Sequence, residues 1–221
     1  MRVGIIIPDR GDRPEFLDNC KRMIRAQKFE GEIVSHYSSY PPKDDSIDIV
    51  PRVMLSYSLI SKDHYDVVVI MENDDWYATD YIATMVDAWI KHGKPDLFGT
   101  CYTIYYHLQL KAHNKMEHHQ RASLMNTLIR PGLDFKWPVE IEPYLDLHLW
   151  GTIQNRIVFR PDKHISIGMK HNVGKCGGAM HAVDHRTERW YINPDNGFLK
   201  ATLDPESFDF YNNYFDNGKS H

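Results

Sequence analysis

The chain has 221 residues, of which 42% are hydrophobic and 25% charged, and its formal net charge at pH 7 is −4. Its length suits one well-cored domain, and no apolar run approaches the ~18 residues of a membrane span. The N-terminal apolar run is too short for a signal peptide, and three cysteines without C-x-x-C spacing argue against a disulfide framework. We therefore expect a cytoplasmic globular protein with no bulk attraction to nucleic acid, although a local basic groove is compatible with this charge.

Strand and helix patterns alternate along the first half of the chain. Apolar runs predict strands, and apolar residues at helical spacing predict helices between them. The predicted strands are 2–8, 31–37, 65–71 and 96–106, and the predicted helices are 13–27, 46–62 and one between Thr79 and Gly93. This alternation favours a mostly parallel sheet with helices on both faces, where ligands bind beyond the carboxyl ends of the strands.

The second half is less regular. Two further strands are expected at 123–132 and 155–161, and a short helix begins at Pro143. A loop rich in glycine and histidine follows, and the tail from Asp204 has no clear pattern. No internal repeat or low-complexity linker divides the chain, so a single domain, 1–221, is expected.

The segment Glu72-Asn73-Asp74-Asp75 directly follows the apolar run of the third strand. Carboxylates gathered at the end of a core strand cost free energy unless a positive group lies among them. A divalent cation held against a diphosphate would meet this need. The alternative is a solvated turn, but its position after a buried strand favours the cation. We also expect Asp75→Ala to leave the fold intact, since a charged surface turn contributes little to packing.

Four segments in this order resemble the GT-A-type, family-2-like glycosyltransferases. They are IIIPDRGDRPEFLDNC, IVPRVMLSYSLIS, DVVVIMENDDWYATDYI and EPYLDLHLW, which together span about residues 2–153. The resemblance implies an α/β fold of the GT-A type, a sandwich with a mostly parallel central sheet and helices on both faces. It further implies a nucleotide-sugar-binding half at 1–112 and an acceptor-binding half at 113–221, which carries a flexible His/Gly loop and tail.

The resemblance also assigns roles on the donor side. Pro8, Asp9 and Arg10 would face the base and ribose, Arg52 the nucleotide or diphosphate, Asp74 the ribose, and Asp75 the metal, Mn²⁺ or Mg²⁺. Asn73 departs from the pattern, because the family usually has an acid there. An amide oxygen can ligate a metal, but it brings no charge. Glu72 would then compensate, or the metal would bind only together with the nucleotide sugar.

The resemblance assigns the general base to Asp146. In an inverting transfer a carboxylate takes the proton from the acceptor hydroxyl while the sugar is attacked from the face opposite the diphosphate. Glu140 and Glu142 are rivals nearby in sequence. A solvent-facing helical aspartate is the structural alternative, and a retaining enzyme would need no dedicated base.

The loop KHNVGKCGGAMH has two alternative interpretations as a binding site. Its glycines allow close backbone approach to a phosphate, and Lys170 and His171 can meet the charge. Many GT-A enzymes supply a late histidine as a metal ligand, which would be His171 or His181. A zinc site built from His171, Cys176, His181 and His185 is the competing interpretation, although their spacing matches no common zinc pattern. A surface loop without a binding role also fits.

These features predict a glycosyltransferase, transferring a hexose or pentose to a soluble saccharide or to a modified base in viral DNA. Trp137 is a candidate platform for the acceptor, because sugar and base faces stack on aromatic rings, but core packing explains it as well. The alternatives are a metal-dependent phosphohydrolase or nucleotidyltransferase and a non-catalytic nucleotide-sugar-binding module. No membrane partner is expected.

Overall fold

The computed structural model describes residues 1–39, 48–60, 64–134, 136–138, 144–172 and 190–214. A six-stranded sheet forms the centre of the fold, with the strand order β2-β1-β3-β8-β5-β9. Its strands are β1 (Arg2–Asp9), β2 (Glu32–Ser39), β3 (Val67–Ile70), β5 (Leu97–Thr100), β8 (Thr127–Ile129) and β9 (Arg156–Phe159). Only β8 runs against the other five, so the sheet is mixed and mostly parallel.

A second sheet has the order β11-β7-β6-β10-β4. Its strands are β4 (Trp76–Tyr77), β6 (Tyr102–His107), β7 (Ala112–Glu117), β10 (Ser166–Lys170) and β11 (Tyr191–Ile192). The pair β6–β10 is parallel and the remaining pairs are antiparallel. The two-residue strand β4 matters most for the site, because it ties the acidic turn after β3 to β10.

Helices cover both faces of the first sheet. They are α1 (Pro14–Arg25), α2 (Ile49–Ser58), α3 (Tyr81–Lys91), α4 (Leu145–Thr152), α5 (Gly197–Thr202) and α6 (Pro205–Asn212), and a short 3-10 helix spans Leu124–Asn126. Side chains of α1, α3, α5 and α6 share one apolar cluster with the odd-numbered residues of β1, whereas α2 and α4 pack against Ile6 on the opposite face. This division follows from the strand period, since successive side chains point to opposite faces. The predicted α/β sandwich is confirmed.

Residues 96–106 were predicted to form one strand and instead form two. The chain leaves the first sheet after β5 and enters the second sheet at β6, and Cys101 is the residue between them. The apolar run is continuous because both strands are buried, so composition alone does not mark the change of sheet. The strands β7 and β10 and the helices α5 and α6 had not been predicted.

The two halves of the sequence interleave in space. β8 and β9, from the second half, lie in the first sheet beside β3 and β5. β6, from the first half, lies in the second sheet. Within the described ranges no helix is long and apolar enough to cross a membrane.

Candidate active site

The acidic turn lies at the carboxyl end of β3, between the two sheets. Asp75 is 4% exposed, and its Oδ1 accepts a hydrogen bond from the backbone N–H of Met169 at 2.8 Å. The turn is therefore anchored to β10 by a buried carboxyl group. The prediction that Asp75→Ala leaves the fold unaffected because the turn is a surface feature is wrong in its premise, since removal of this group would leave a buried N–H without its acceptor.

Asn73 has a structural reason to be an amide. Its Nδ2 donates a hydrogen bond to Asp9 Oδ1 at 2.9 Å, and both side chains are buried. The contact joins the carboxyl ends of β3 and β1. An acid at position 73 would place a second carboxyl group against Asp9, whereas the amide supplies the donor that this buried carboxyl group needs.

Asp74 faces a different set of partners. Its Oδ2 lies 2.7 Å from His171 Nε2 and 3.2 Å from Arg13 Nη1, and the arginine nitrogen lies 2.9 Å from the same His171 nitrogen. His171 follows β10 and packs on Phe16 with ring centroids 4.9 Å apart. The structure thus pairs His171 with Asp74, the first of the two adjacent aspartates, while Asp75 is used as the anchor.

The three acidic groups of the turn have different protonation behaviour. Burial favours a higher pKa for Asp74, but Arg13 and the hydrogen bond with His171 outweigh it and bring the pKa below its usual range. Burial and then the charges of Asp74 and Glu72 raise the pKa of Asp75. Burial, followed by Asp74, raises the pKa of Glu72 to about 7. Asp74 is therefore the member of the cluster that stays ionised at neutral pH.

Arginines gather beside this turn. Arg52, on α2, is buried in an ion pair with Asp48, one helical turn before it. Burial, together with the positive charges of Arg10 and Arg13, lowers the pKa of Arg52 to about 10 against the opposing effect of Asp48. Arg10 and Arg13 are therefore within electrostatic reach of Arg52. Arg10 Nε also lies 3.1 Å from Asp12 Oδ2. Pro8 and Asp9 end β1 beside them.

Asp146 lies in the first turn of α4. Arg121 Nη1 donates a hydrogen bond to its Oδ2 at 2.5 Å. The negative charge of Asp146 contributes to the raised pKa of Glu72, which places these two carboxyl groups within electrostatic reach. Lys170 lies among them, with its Nζ 4.7 Å from the centre of the Tyr105 ring. Burial disfavours the charged form of Lys170, but Tyr105 and the acidic turn outweigh it and raise its pKa.

Gly168 makes this arrangement possible on β10. A Cβ atom there would lie 2.6 and 2.8 Å from two carbons of the Tyr105 ring, closer than side-chain carbons pack. The ring can therefore lie against the backbone of β10 beneath Lys170. The glycine is explained by this close approach rather than by an unusual backbone angle.

The remaining predicted site residues are placed as follows. Trp137 is partly buried against the α2 side of the core and contacts Tyr57 edge to face, with centroids 5.7 Å apart. Its proposed role as an acceptor platform stays a prediction. His181, Glu140, Glu142, Cys176 and His185 lie outside the described residues.

Three residues in the site had not been given a role from the sequence: Arg13, Arg121 and, as a titrating group, Glu72. Arg13 is separated by 158 positions from His171 and by 61 from Asp74. The only available signal was the R-x-x-R-P spacing before α1. Arg121 carries no recognisable motif.

The donor set at Asp74 and His171 is compatible with a divalent cation. Within the described part of the chain, no group of three or more His, Cys, Asp or Glu side chains could hold a metal ion. Asp74 and His171 supply one carboxylate oxygen and one imidazole nitrogen, and cations such as Mg²⁺ commonly combine one or two carboxylates with substrate phosphates. The residues therefore fit a metal whose other ligands come from a diphosphate and water.

Two solved structures of S. aureus TarS have a similar fold. S. aureus TarS 1–349 in complex with UDP-GlcNAc matches with a TM-score of 0.52 at 11% identity, covering 98% of this chain and 72% of that chain. Longer S. aureus TarS matches with a TM-score of 0.50 at 10% identity, covering 76% of this chain and 37% of that chain. A Drosophila β-1,4-galactosyltransferase 7 mutant, solved with manganese, UDP-Gal and xylobiose, reaches a TM-score of only 0.38 at 13% identity and supports no inference.

No protein family and no curated protein matches the chain by sequence. Identities of 10–11% establish the fold and leave the activity open. The chain therefore has the GT-A fold of nucleotide-sugar transferases.

Proposed function

We propose that this protein transfers a sugar from a nucleotide-diphosphate donor to an acceptor hydroxyl. The observation that carries the proposal is the arrangement at the carboxyl edge of β1 and β3. The ionised Asp74 contacts His171 and Arg13, and Arg13 and Arg10 both lie within electrostatic reach of Arg52. Glu72, in the same turn, lies within electrostatic reach of Asp146. Such a site can hold a charged diphosphate next to a base, which is what a glycosyl transfer requires.

The donor would bind along the carboxyl end of β1 and the start of α2. Arg10 and Arg52 offer guanidinium groups that match phosphate oxygens in geometry and charge. Pro8 and Asp9 would face the base and ribose. These residues come from 1–112, whereas the proposed acceptor-side residues Asp146, Arg121 and Lys170 come from 113–221. His171, also from 113–221, would contribute to the donor side through the metal.

We propose that Mn²⁺ or Mg²⁺ binds at Asp74 and His171 rather than at Asp75. Asp75 Oδ1 already accepts a hydrogen bond from the backbone of β10, whereas Asp74 Oδ2 and His171 Nε2 lie 2.7 Å from each other. His181 stays a predicted further ligand. Such a cation would supply positive charge beside the departing diphosphate. Asp74 keeps its charge for this role at neutral pH.

The reaction then needs a proton acceptor at the acceptor hydroxyl, and Asp146 is proposed to be that base. As the hydroxyl oxygen forms its bond to the anomeric carbon, the bond from that carbon to the diphosphate breaks. The hydroxyl proton passes to the Asp146 carboxylate, and the configuration inverts. Arg121 positions this carboxylate by its hydrogen bond at 2.5 Å.

The acceptor is proposed to be a soluble saccharide or a modified base in viral DNA. The second alternative requires the base to leave the duplex, which costs a few kcal/mol. Among the described residues, Arg121 lies beside Asp146 and Lys170 lies within electrostatic reach of Glu72, and these cations would contact a nucleic-acid backbone. Both acceptor types should therefore be offered in the same transfer assay.

The first test is binding of UDP-, GDP-, CMP- and dTDP-sugars, each with and without Mn²⁺, measured as a shift in melting temperature. A donor that binds only the folded state raises the melting temperature according to its occupancy. The donor that binds is then combined with acceptors, and the released nucleotide and glycosylated product are quantified. No shift with any donor, or release of free sugar phosphate without an acceptor, would contradict the proposal.

Asp146→Asn separates the base from the fold. We expect the variant to bind the donor as the wild type does and to lose about 100-fold or more in turnover, the usual contribution of a general base. Asp87→Asn, at an exposed position of α3, is the matched control and should leave turnover unchanged. Unchanged turnover in Asp146→Asn would place the base elsewhere.

A further inference from the structure

Arg13 is the residue that precedes the first turn of α1. It is buried just before α1, and its Nη1 lies within 3.2 Å of both Asp74 Oδ2 and His171 Nε2. Its guanidinium carbon also lies 5.4 Å from the centre of the Phe16 ring. A positive group therefore already contacts both atoms that are proposed to hold the metal.

The three polar atoms cannot all be satisfied by the protons available. If Arg13 donates to both Asp74 Oδ2 and His171 Nε2, those two acceptors face each other at 2.7 Å with no proton between them. If His171 carries its proton on Nε2 and donates it to Asp74, two N–H groups face each other at 2.9 Å. Either tautomer leaves one unfavourable contact. A cation that accepts electron pairs from both atoms at once removes this conflict.

Arg13 and a divalent cation therefore compete for the same two atoms. His171 Nε2 has a single lone pair that Arg13 and a metal cannot share, so Arg13 has to release this nitrogen when the metal binds. Its other nearby carboxyl group is that of Asp12, at 3.6 Å, and Arg10 and Arg52 lie on the same side. A guanidinium group released among other arginines is stabilised by an anion, and the donor diphosphate is the anion that would lie there.

We propose that Arg13 occupies the cation position of the donor-free protein and moves to the donor diphosphate when the metal binds, so that metal and donor bind cooperatively. The identity of the anion, a donor diphosphate, rests on the proposed function. The competition between Arg13 and the metal does not depend on that function. The coupling is reciprocal, because whatever favours the metal also favours the donor. Metal binding without donor is correspondingly weak.

The test measures Mn²⁺ alone, by the electron paramagnetic resonance signal of the free ion, with wild type and Arg13→Gln in the absence of nucleotide. Coupling of this kind changes affinities by about 5- to 150-fold, so the variant should bind Mn²⁺ about tenfold more tightly or better. Arg25→Gln, exposed at the end of α1, is the control and should match the wild type. An affinity of Arg13→Gln equal to or below that of the wild type would overturn the inference.

Two further measurements locate the effect. Adding His171→Gln to Arg13→Gln should abolish the gain in affinity, and a retained gain would show that Mn²⁺ binds elsewhere and overturn the inference. Arg13→Lys, which keeps a cation that cannot span both acceptors, should show a smaller gain in the same direction. It serves as the test if Arg13→Gln does not fold by circular dichroism.

The movement to the diphosphate is judged separately. UDP, GDP, CDP and dTDP are added one at a time. The increase in Mn²⁺ affinity that each nucleotide causes is compared between wild type and Arg13→Gln. We expect a smaller increase in Mn²⁺ affinity in the variant. An equal increase would overturn the proposal that Arg13 moves to the diphosphate. Failure of every nucleotide to bind would instead overturn the proposed function, and the competition measured with Mn²⁺ alone would be unaffected.

Discussion

Glu72 offers a test of the site's electrostatics that needs no substrate. Its carboxyl group lies at the start of the acidic turn, is partly shielded from solvent, and accepts a hydrogen bond from the backbone of Met125. Burial, followed by the charges of Asp74 and Asp146, raises its pKa from the usual 4.5 to about 7. Glu72→Gln keeps the shape and the oxygen acceptor and removes the charge.

The raised pKa fixes both the sign and the size of the effect. Between pH 4.5 and 7 the folded protein holds a proton on Glu72 that the unfolded chain has released, so this group makes the free energy of unfolding fall as the pH rises. One pKa unit corresponds to about 1.4 kcal/mol, so ionised Glu72 costs the folded state about 3 kcal/mol. The side chain of Glu72→Gln does not ionise, so the variant lacks this destabilisation. Its free energy of unfolding should exceed that of the wild type by about 3 kcal/mol at pH 8, but by under about 1 kcal/mol at pH 5.

Urea unfolding at pH 5 and pH 8, in EDTA and without nucleotide, measures the difference directly. Glu30→Gln, at an exposed position, is the control and should show little change at either pH. A stability difference for Glu72→Gln that is the same at both pH values would refute the reasoning. A variant that is less stable than the wild type at pH 8 would refute it as well.

Two other substitutions test the turn itself. Asn73→Asp should lower the free energy of unfolding by about 1–3 kcal/mol, because a second buried carboxyl group would face Asp9. The variant should bind Mn²⁺ no more tightly than the wild type. An unchanged stability in urea would contradict the contact between Asn73 and Asp9. Asp75→Ala should lower the free energy of unfolding by about 1–3 kcal/mol, because a buried N–H of β10 loses its acceptor. Asp75→Asn, which keeps an oxygen acceptor, should recover most of that loss, and equal losses in both variants would contradict the anchoring role.

Secondary structure could be predicted from the sequence where the spacing of apolar residues and the length of the apolar run fit only one type of element. β1, β3 and α1 were predicted nearly at their observed bounds, because each has a continuous apolar run or a clear helical stripe. β7 was missed since its residues, AHNKME, are mostly polar and its outer side is exposed. β10 was missed because its sequence, SIGMK, contains a glycine, a residue that is uncommon inside strands. The close approach of the Tyr105 ring explains this glycine, and the sequence does not show that contact.

The candidate site was predictable in its location and less so in its details. The acidic turn was identified because four polar residues follow a buried strand. Nothing in the sequence distinguishes two adjacent aspartates, and the assignment of Asp74 to His171 and Asp75 to β10 depends on a contact between residues more than ninety positions apart. The role of Asn73 likewise depends on Asp9, which lies on a different strand.

β10 and the residue that follows it bring three different contributions to the site. Met169 holds the turn through its backbone, Lys170 supplies a cation, and His171 meets Asp74. Because neighbouring residues of a strand point to opposite faces, a slip of one residue in the pairing of β10 with β6 would exchange the directions of Lys170 and His171. The hydrogen-bond register between these two strands therefore decides which nitrogen, ammonium or imidazole, reaches Asp74.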